Sequence, residues 1–179
     1  KWWGYENVSH IESILEKFEK AEIPMDVLWS DLDVYEDDQN FNYNDGRFPP
    51  SETQKVFKKF NKRWITVVQA YIPLQKTNPV WQYNNGDILD YTIKDGITKT
   101  PLIGYEFSGF VHFIDFLNPE ASKFWQHMLE FMNSKNPVSG FWLDANEVTN
   151  LISRFENTKE IYQNGLKVRK YYKLPFYPG

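Results

Sequence analysis

Apolar positions along the chain switch between two periods, and the switches divide it into elements. Ile11, Ile14, Leu15, Phe18 and Ala21 recur at helical spacing. Ser9 with Glu12 fits a capping box, so the pattern predicts a helix running to about Glu22 and ended by Pro24. Met25-Asp26-Val27-Leu28-Trp29-Ser30 reads as a strand with Asp31-Leu32-Asp33 at its carboxyl end. The Asn, Asp, Gly and Pro of 37–50 predict a loop, after which Ser51 opens an amphipathic helix through Val56, Phe57 and Phe60. Trp64-Ile65-Thr66-Val67-Val68 is β-branched and apolar, as a parallel strand covered on both faces should be, and Gln69-Ala70-Tyr71-Ile72 forms its tip. Val111 to Phe116 reads as extended. Asn118 and Pro119 cap a helix carrying Ala121, Phe124, Trp125, Met128, Leu129 and Met132 on one face, where Met and Trp read as core rather than ligand contacts. Gly140-Phe141-Trp142-Leu143-Asp144-Ala145-Asn146-Glu147 then runs apolar and aromatic before breaking into carboxylates, the pattern of a buried strand with Asp144 at its tip.

Strand, helix, strand, helix, strand, long loop, helix, strand is βα alternation, and right-handed crossovers make such strands parallel. A complete eight-fold barrel needs about 250 residues. The expected fold is therefore α/β, a partial (β/α)8 TIM barrel with roughly the first four βα units. The whole of 1–179 reads as one incomplete barrel domain. It would hold a long insertion-like loop over 73–110, with turn signals at Asn84-Asn85-Gly86 and Lys94-Asp95-Gly96, and a C-terminal loop over 151–179. The opening Lys1-Trp2-Trp3-Gly4-Tyr5 reads as the middle of a fold, so upstream sequence is expected. In such a barrel a carboxylate at a strand's carboxyl end faces substrate, which makes Asp144 a candidate for chemistry; the other reading is an Asp that caps the next helix.

Composition narrows the partners. Aromatic residues make up 18% of the chain, with 7 Trp, 11 Tyr and 14 Phe. That excess suits sugar-stacking platforms, although an aromatic core is the commoner explanation. The formal net charge is -4 with both signs interspersed, which argues against nucleic acid and anionic membrane as partners, and no apolar run reaches the length of a membrane span. The chain contains no cysteine, which removes disulfides, thiolate zinc sites and a cysteine nucleophile. His10, His112 and His127 are scattered without metal-ligand spacing and read as structural or surface residues. Asn7-Val8-Ser9 is a possible glycosylation acceptor.

Several motifs stand in a specific order: Trp3-Gly4-Tyr5-x-Asn7, Ile23-Pro24-Met25-Asp26-Val27, Asp31-Leu32-Asp33, Asp115-Phe116-Leu117-Asn118-Pro119 and Phe141-Trp142-Leu143-Asp144-Ala145-Asn146-Glu147. Together with the closing Leu174-Pro175-Phe176-Tyr177-Pro178-Gly179, this order resembles glycoside hydrolase family 31, the α-glucosidases, α-xylosidases and relatives built on a (β/α)8 catalytic barrel. The resemblance implies a retaining glycosidase acting on α-linked, commonly terminal glucosyl residues of oligosaccharides or glucans. It implies Asp144 as nucleophile and Glu147 as a supporting group. Asp31 matches the carboxylate that holds sugar hydroxyls, and Leu32, Ile72, Phe107, Trp142 and Trp3 fall at positions that wall the pocket. The family's acid/base Asp lies on a later strand, beyond Gly179, so the remaining half of the barrel, on the same or a separate polypeptide, is an implied partner. No metal or organic cofactor is required, because both reacting groups are carboxyl side chains. Family members occur in secretory and lysosomal spaces as well as in the cytosol.

Three departures reshape the implied pocket. Asp144-Ala145 replaces the usual Asp-Met, Gln69-Ala70-Tyr71-Ile72 stands where an Asp-Pro is common, and Glu106-Phe107-Ser108-Gly109 stands where a Trp-Pro-Gly type turn is common. They motivate the alternative to an active enzyme: a catalytically inactive relative that binds α-glucans or serves as a scaffold within a larger assembly.

Overall fold

The computed structural model describes residues 3–83 and 87–148, together with the backbone of 161–163 and 166–168. The turn signal at Asn84-Asn85-Gly86 and the closing Leu174 to Gly179 motif lie outside the described residues.

Three strands, β1 (Val27–Ser30), β2 (Arg63–Gln69) and β6 (Gly140–Asp144), form a parallel sheet in the order β1-β2-β6. The register pairs Ser30 with Thr66 and Gln69 with Asp144, so the carboxyl ends of all three strands meet at one edge. This is the partial α/β architecture that the alternation predicts, open rather than closed into a barrel. Strand alternation puts Trp29, Val67, Gln69, Trp142 and Asp144 on one face, and Leu28, Ser30, Trp64, Thr66 and Val68 on the other. The second face is the drier one. Trp64 stacks on Phe57 at a ring separation of 5.3 Å and donates its indole N–H to Ser30 Oγ at 2.8 Å, which satisfies the polar tip of a buried aromatic.

Helix α1 (Val8–Lys20) buries Val8, Ile11 and Leu15 and carries Lys17 and Lys20 in its last turn, where cations favour the helix dipole. Its N-cap is Asn7, extended at φ -167°, whose side chain accepts from His10 N at 2.9 Å. Ser9 sits inside the helix, so the expected Ser9–Glu12 capping box does not form: Asn7 reaches the orphan amide first. Helix α2 (Pro50–Lys59) starts on a proline at its first turn, where the missing N–H costs nothing, and buries Thr53, Val56 and Phe57. Helix α3 (Pro119–Lys135) is capped by Asn118, which accepts from Glu120 N at 3.0 Å, and buries Ala121, Phe124, Met128 and Met132. Among the described residues no helix is long and apolar enough to cross a membrane.

Two further expectations change. The stretch following β2 is largely ordered into a second sheet: β3 (Tyr71–Pro73), β4 (Ile103–Glu106) and β5 (Gly109–Phe113) pair antiparallel in the order β3-β5-β4. Val111 to Phe113, expected as extended, therefore belongs to this sheet, and the parallel one holds three strands among the described residues. The β4–β5 connection is a two-residue turn that needs Gly109 at φ 94°, a conformation open to glycine at little cost. The second change concerns β6, which is half-buried instead of buried, with Leu143 55% exposed. It pairs only with β2 among the described residues, so one flank and part of one face lack cover. Beyond it, the backbone of β7 (Ile161–Gln163) and β8 (Leu166–Val168) forms an antiparallel pair.

Candidate active site

The carboxyl edge of the parallel sheet opens into a cavity of about 400 Å³. Each strand contributes its tip: Trp29 and Asp31 from β1 and its end, Gln69 from β2, Trp142 and Asp144 from β6, with Leu32 just after Asp31. Two further walls come from outside the sheet. Phe107 stands at the tip of the β4–β5 turn, and Trp3 meets it edge to face at 5.2 Å. Trp29 and Trp142 lie side by side with ring centroids 5.6 Å apart and planes tilted by 36°.

Asp31 caps the short 3-10 turn Leu32–Val34, its Oδ1 accepting from Leu32 N at 2.7 Å. It is 5% exposed. Burial pushes its carboxyl up from the ordinary 3.8; the Leu32 N–H pulls it down, and the neighbouring Asp33 and Asp144 charges push it up again. Asp33, two residues on, accepts from Tyr5 N at 2.6 Å and so ties the segment that delivers Trp3 to the cavity. Burial raises Asp33 too, with the Tyr5 N–H opposing. Asp31, Asp33 and Asp144 thus cluster at the edge of the sheet, and among the described residues no Lys or Arg lines the cavity that Asp31 and Asp144 face.

A buried clamp fixes the central strand tip. Asn40 accepts from Gln69 N at 3.1 Å and donates to Gln69 O, while its amide also reaches Tyr71 O at 3.3 Å. Asn78 holds Asn40 in turn, donating to its carbonyl at 2.8 Å. The chain can therefore leave β2 at Ala70 and enter β3 without orphaning the backbone groups at the corner.

Of the residues singled out from sequence, Trp3, Asp31, Leu32, Phe107, Trp142 and Asp144 share this one cavity. Two do not line it. Ile72 is fully buried in β3, its backbone partner being His112, and Glu147 is exposed beyond β6. The turn that separates Glu147 from the tip passes through Ala145 at φ 48°. Trp29, inside an apolar run, was not singled out, and Gln69 stood out only as part of Gln69-Ala70-Tyr71-Ile72, where an Asp-Pro is common, and not as a lining residue. Only strand alternation, counted back from Asp31 and across from Asp144, carries the signal that both face the cavity.

An aromatic-walled cavity with carboxylates at its floor can stack an apolar ring face and accept hydrogen bonds from hydroxyls. Its volume falls in the range of about 300–1,000 Å³ common to small-ligand sites. Residues 1–176 match the sequence model described as the Glycosyl hydrolases family 31 TIM-barrel domain. An α-glucosidase of Aspergillus oryzae is 33% identical over 157 residues, covering 82% of this chain and 16% of the relative. Alpha-xylosidase 1 of Arabidopsis thaliana is 29% identical over 154 residues, covering 84% of this chain and 16% of the relative. The chain thus spans about one sixth of the length of these curated relatives. Among solved structures, an ER glucosidase II heterodimeric complex of catalytic subunit and regulatory-subunit binding domain superposes with a TM-score of 0.68 at 19% identity, over 79% of this chain and 15% of that one. A Flavobacterium johnsoniae dextranase complexed with glucose gives 0.65 at 20% identity, over 79% and 17%. At these identities the structural likeness speaks for the fold alone.

Proposed function

This chain belongs to glycosyl hydrolases family 31 through its TIM-barrel domain, and from that premise we propose that it carries the nucleophile half of a retaining, α-glucosidase-like active site. The substrate is a terminal α-linked glucosyl residue of an oligosaccharide or glucan. Asp144 attacks the anomeric carbon as a carboxylate, and a protonated carboxyl about 5–5.5 Å away, supplied by the part of the barrel outside this chain, protonates the leaving oxygen. Asp31 accepts sugar hydroxyls with the lone pairs that Leu32 N leaves available. Trp3, Phe107 and Trp142 give the ring its apolar walls, and Glu147 acts from outside the cavity as a supporting group.

The observation that carries this reading is the convergence of Asp31, Asp144 and the aromatic walls on one cavity at the carboxyl ends of parallel strands, the end where barrel enzymes hold their chemistry. The test is made on the full-length protein. A fluorinated α-glucosyl fluoride or a cyclitol epoxide should label Asp144, located by peptide mass. Asp144→Asn should retain the fold and lose at least about a thousandfold in kcat. Wild-type turnover in that variant, or an adduct on another residue, would sink the assignment.

A further inference from the structure

We infer that Gln69 is a substrate-binding residue of this cavity, its side-chain amide donating a hydrogen bond to a hydroxyl oxygen of the sugar held between Asp31 and Asp144. The inference deepens the glycosidase reading and rests on it. Gln69 ends the central strand, in register with Asp144, and lines the cavity although the residue is 1% exposed. Its backbone is fixed on both sides by Asn40, through Gln69 N and Gln69 O. Its side chain is fixed as well, because Tyr71 Oη donates to Gln69 Oε1. Burial pushes the Tyr71 phenol up, so it remains protonated and keeps donating.

That single bond sets the polarity of the amide. With Oε1 occupied by the Tyr71 hydroxyl, Nε2 is turned away from Tyr71, and it makes no hydrogen bond to a described residue. Because Gln69 lines the cavity, a ligand oxygen there can take the place of water on this donor. A sugar hydroxyl is the matching group, since it donates one hydrogen bond and accepts others. It can donate to Asp31, whose Oδ1 is already engaged by Leu32 N at 2.7 Å, and accept from Gln69 Nε2. The three strand tips then read acceptor, donor, nucleophile across the floor of the site.

The test uses the full-length protein with an aryl α-glucoside and its monodeoxy analogues. Gln69→Met keeps the length of the side chain and removes the donor; it should lower kcat/KM about tenfold. Tyr71→Phe, which touches no ligand, should lower it about threefold by freeing the amide to turn, and the double variant should be no worse than Gln69→Met alone. On the one deoxy analogue that lacks the recognised hydroxyl, wild type and Gln69→Met should become equal, which a merely structural role would not produce. Unchanged kcat/KM in Gln69→Met, or a penalty equal on every analogue, overturns the inference while leaving the glycosidase reading in place. A wild-type protein that neither cleaves the aryl glucoside nor takes the epoxide label overturns both.

Discussion

Replacing Asn40 with alanine should destabilise the fold by about 3 kcal/mol, because one side chain satisfies the backbone where the parallel sheet hands over to the antiparallel one. Asn40 is fully buried, and its amide meets Gln69 N at 3.1 Å, Gln69 O, and Tyr71 O at 3.3 Å. Truncation strands these groups in a dry corner at about 1–3 kcal/mol apiece, and about 1 kcal/mol for each of the three gives the figure of about 3 kcal/mol. The bond from Asn78 to Asn40 O survives, since it uses the backbone. Asn40→Asp separates donor from acceptor: the oxygen facing Gln69 N–H persists, but the donor to the two carbonyls becomes a second acceptor, so it should cost at least as much at neutral pH. The assay is amide exchange on the peptide spanning 64–72 in the full-length protein. At 1.36 kcal/mol per decade, protection at Gln69 should fall about a hundredfold. Exchange within fivefold of wild type would refute the reasoning and assign the corner's stability to apolar packing around Val67 and Tyr71.

Two further outcomes follow from the same structure. Trp29 is 56% exposed and meets Trp142 at 5.6 Å, so Trp29→Ala should raise KM about tenfold with kcat near wild type and little loss of thermal stability; steady-state kinetics showing an unchanged KM would remove Trp29 from the ligand's walls. His112 is held neutral, burial lowering it from the ordinary 6.5 while its bond to Leu102 O opposes and the Lys76 and Lys94 charges assist. The unfolded chain therefore binds more protons just below pH 6.5, so this group's contribution to stability is complete above 6.5 and is lost as pH falls through the lower folded value. Urea midpoints should drop more between pH 7.5 and 5.5 for wild type than for His112→Gln, and parallel curves would contradict it.

How much of this was legible in the sequence depends on which interactions are local. The helical stripe of Ile11 and Leu15, the face of Phe124, Met128 and Met132, and the β-branched run at Trp64 to Val68 encode burial directly, so α1, α3 and β2 are visible as period alone. The N-terminal cap is a closer contest. Asn7 and Ser9 both suit an N-cap, and only the extended backbone at Asn7 decides between them. The second sheet is hidden because its strands are three to five residues long and β3 reaches β5 across about forty residues of chain, while the local β4–β5 hairpin is marked only by its turn residues. The cavity residues were readable through motif order and not through spacing: Trp3, Asp31, Phe107 and Asp144 lie far apart in sequence. Glu147 shows the limit of that approach. Three residues past Asp144, it belongs to the same motif, yet the turn at Ala145 carries it out to solvent.

The lining also constrains the ligand by charge, independently of any likeness. Asp31 and Asp144 face the cavity with no Lys or Arg among the described lining residues, so these two carboxylates disfavour an anionic ligand. A wholly apolar ligand would fit the indoles of Trp29 and Trp142 and strip water from both carboxylates without replacing it, which is more costly still. The proposed sugar, a neutral ring with an apolar face and a hydroxylated rim, suits the lining: hydroxyl hydrogens for the carboxylates, a hydroxyl oxygen for Gln69, and C–H surface for the aromatics. A pyranose has that distribution, and the same requirement explains why burial can raise Asp31 without disabling it. When a sugar hydroxyl donates to Asp31 it stabilises the ionised form, opposing the upward push of burial.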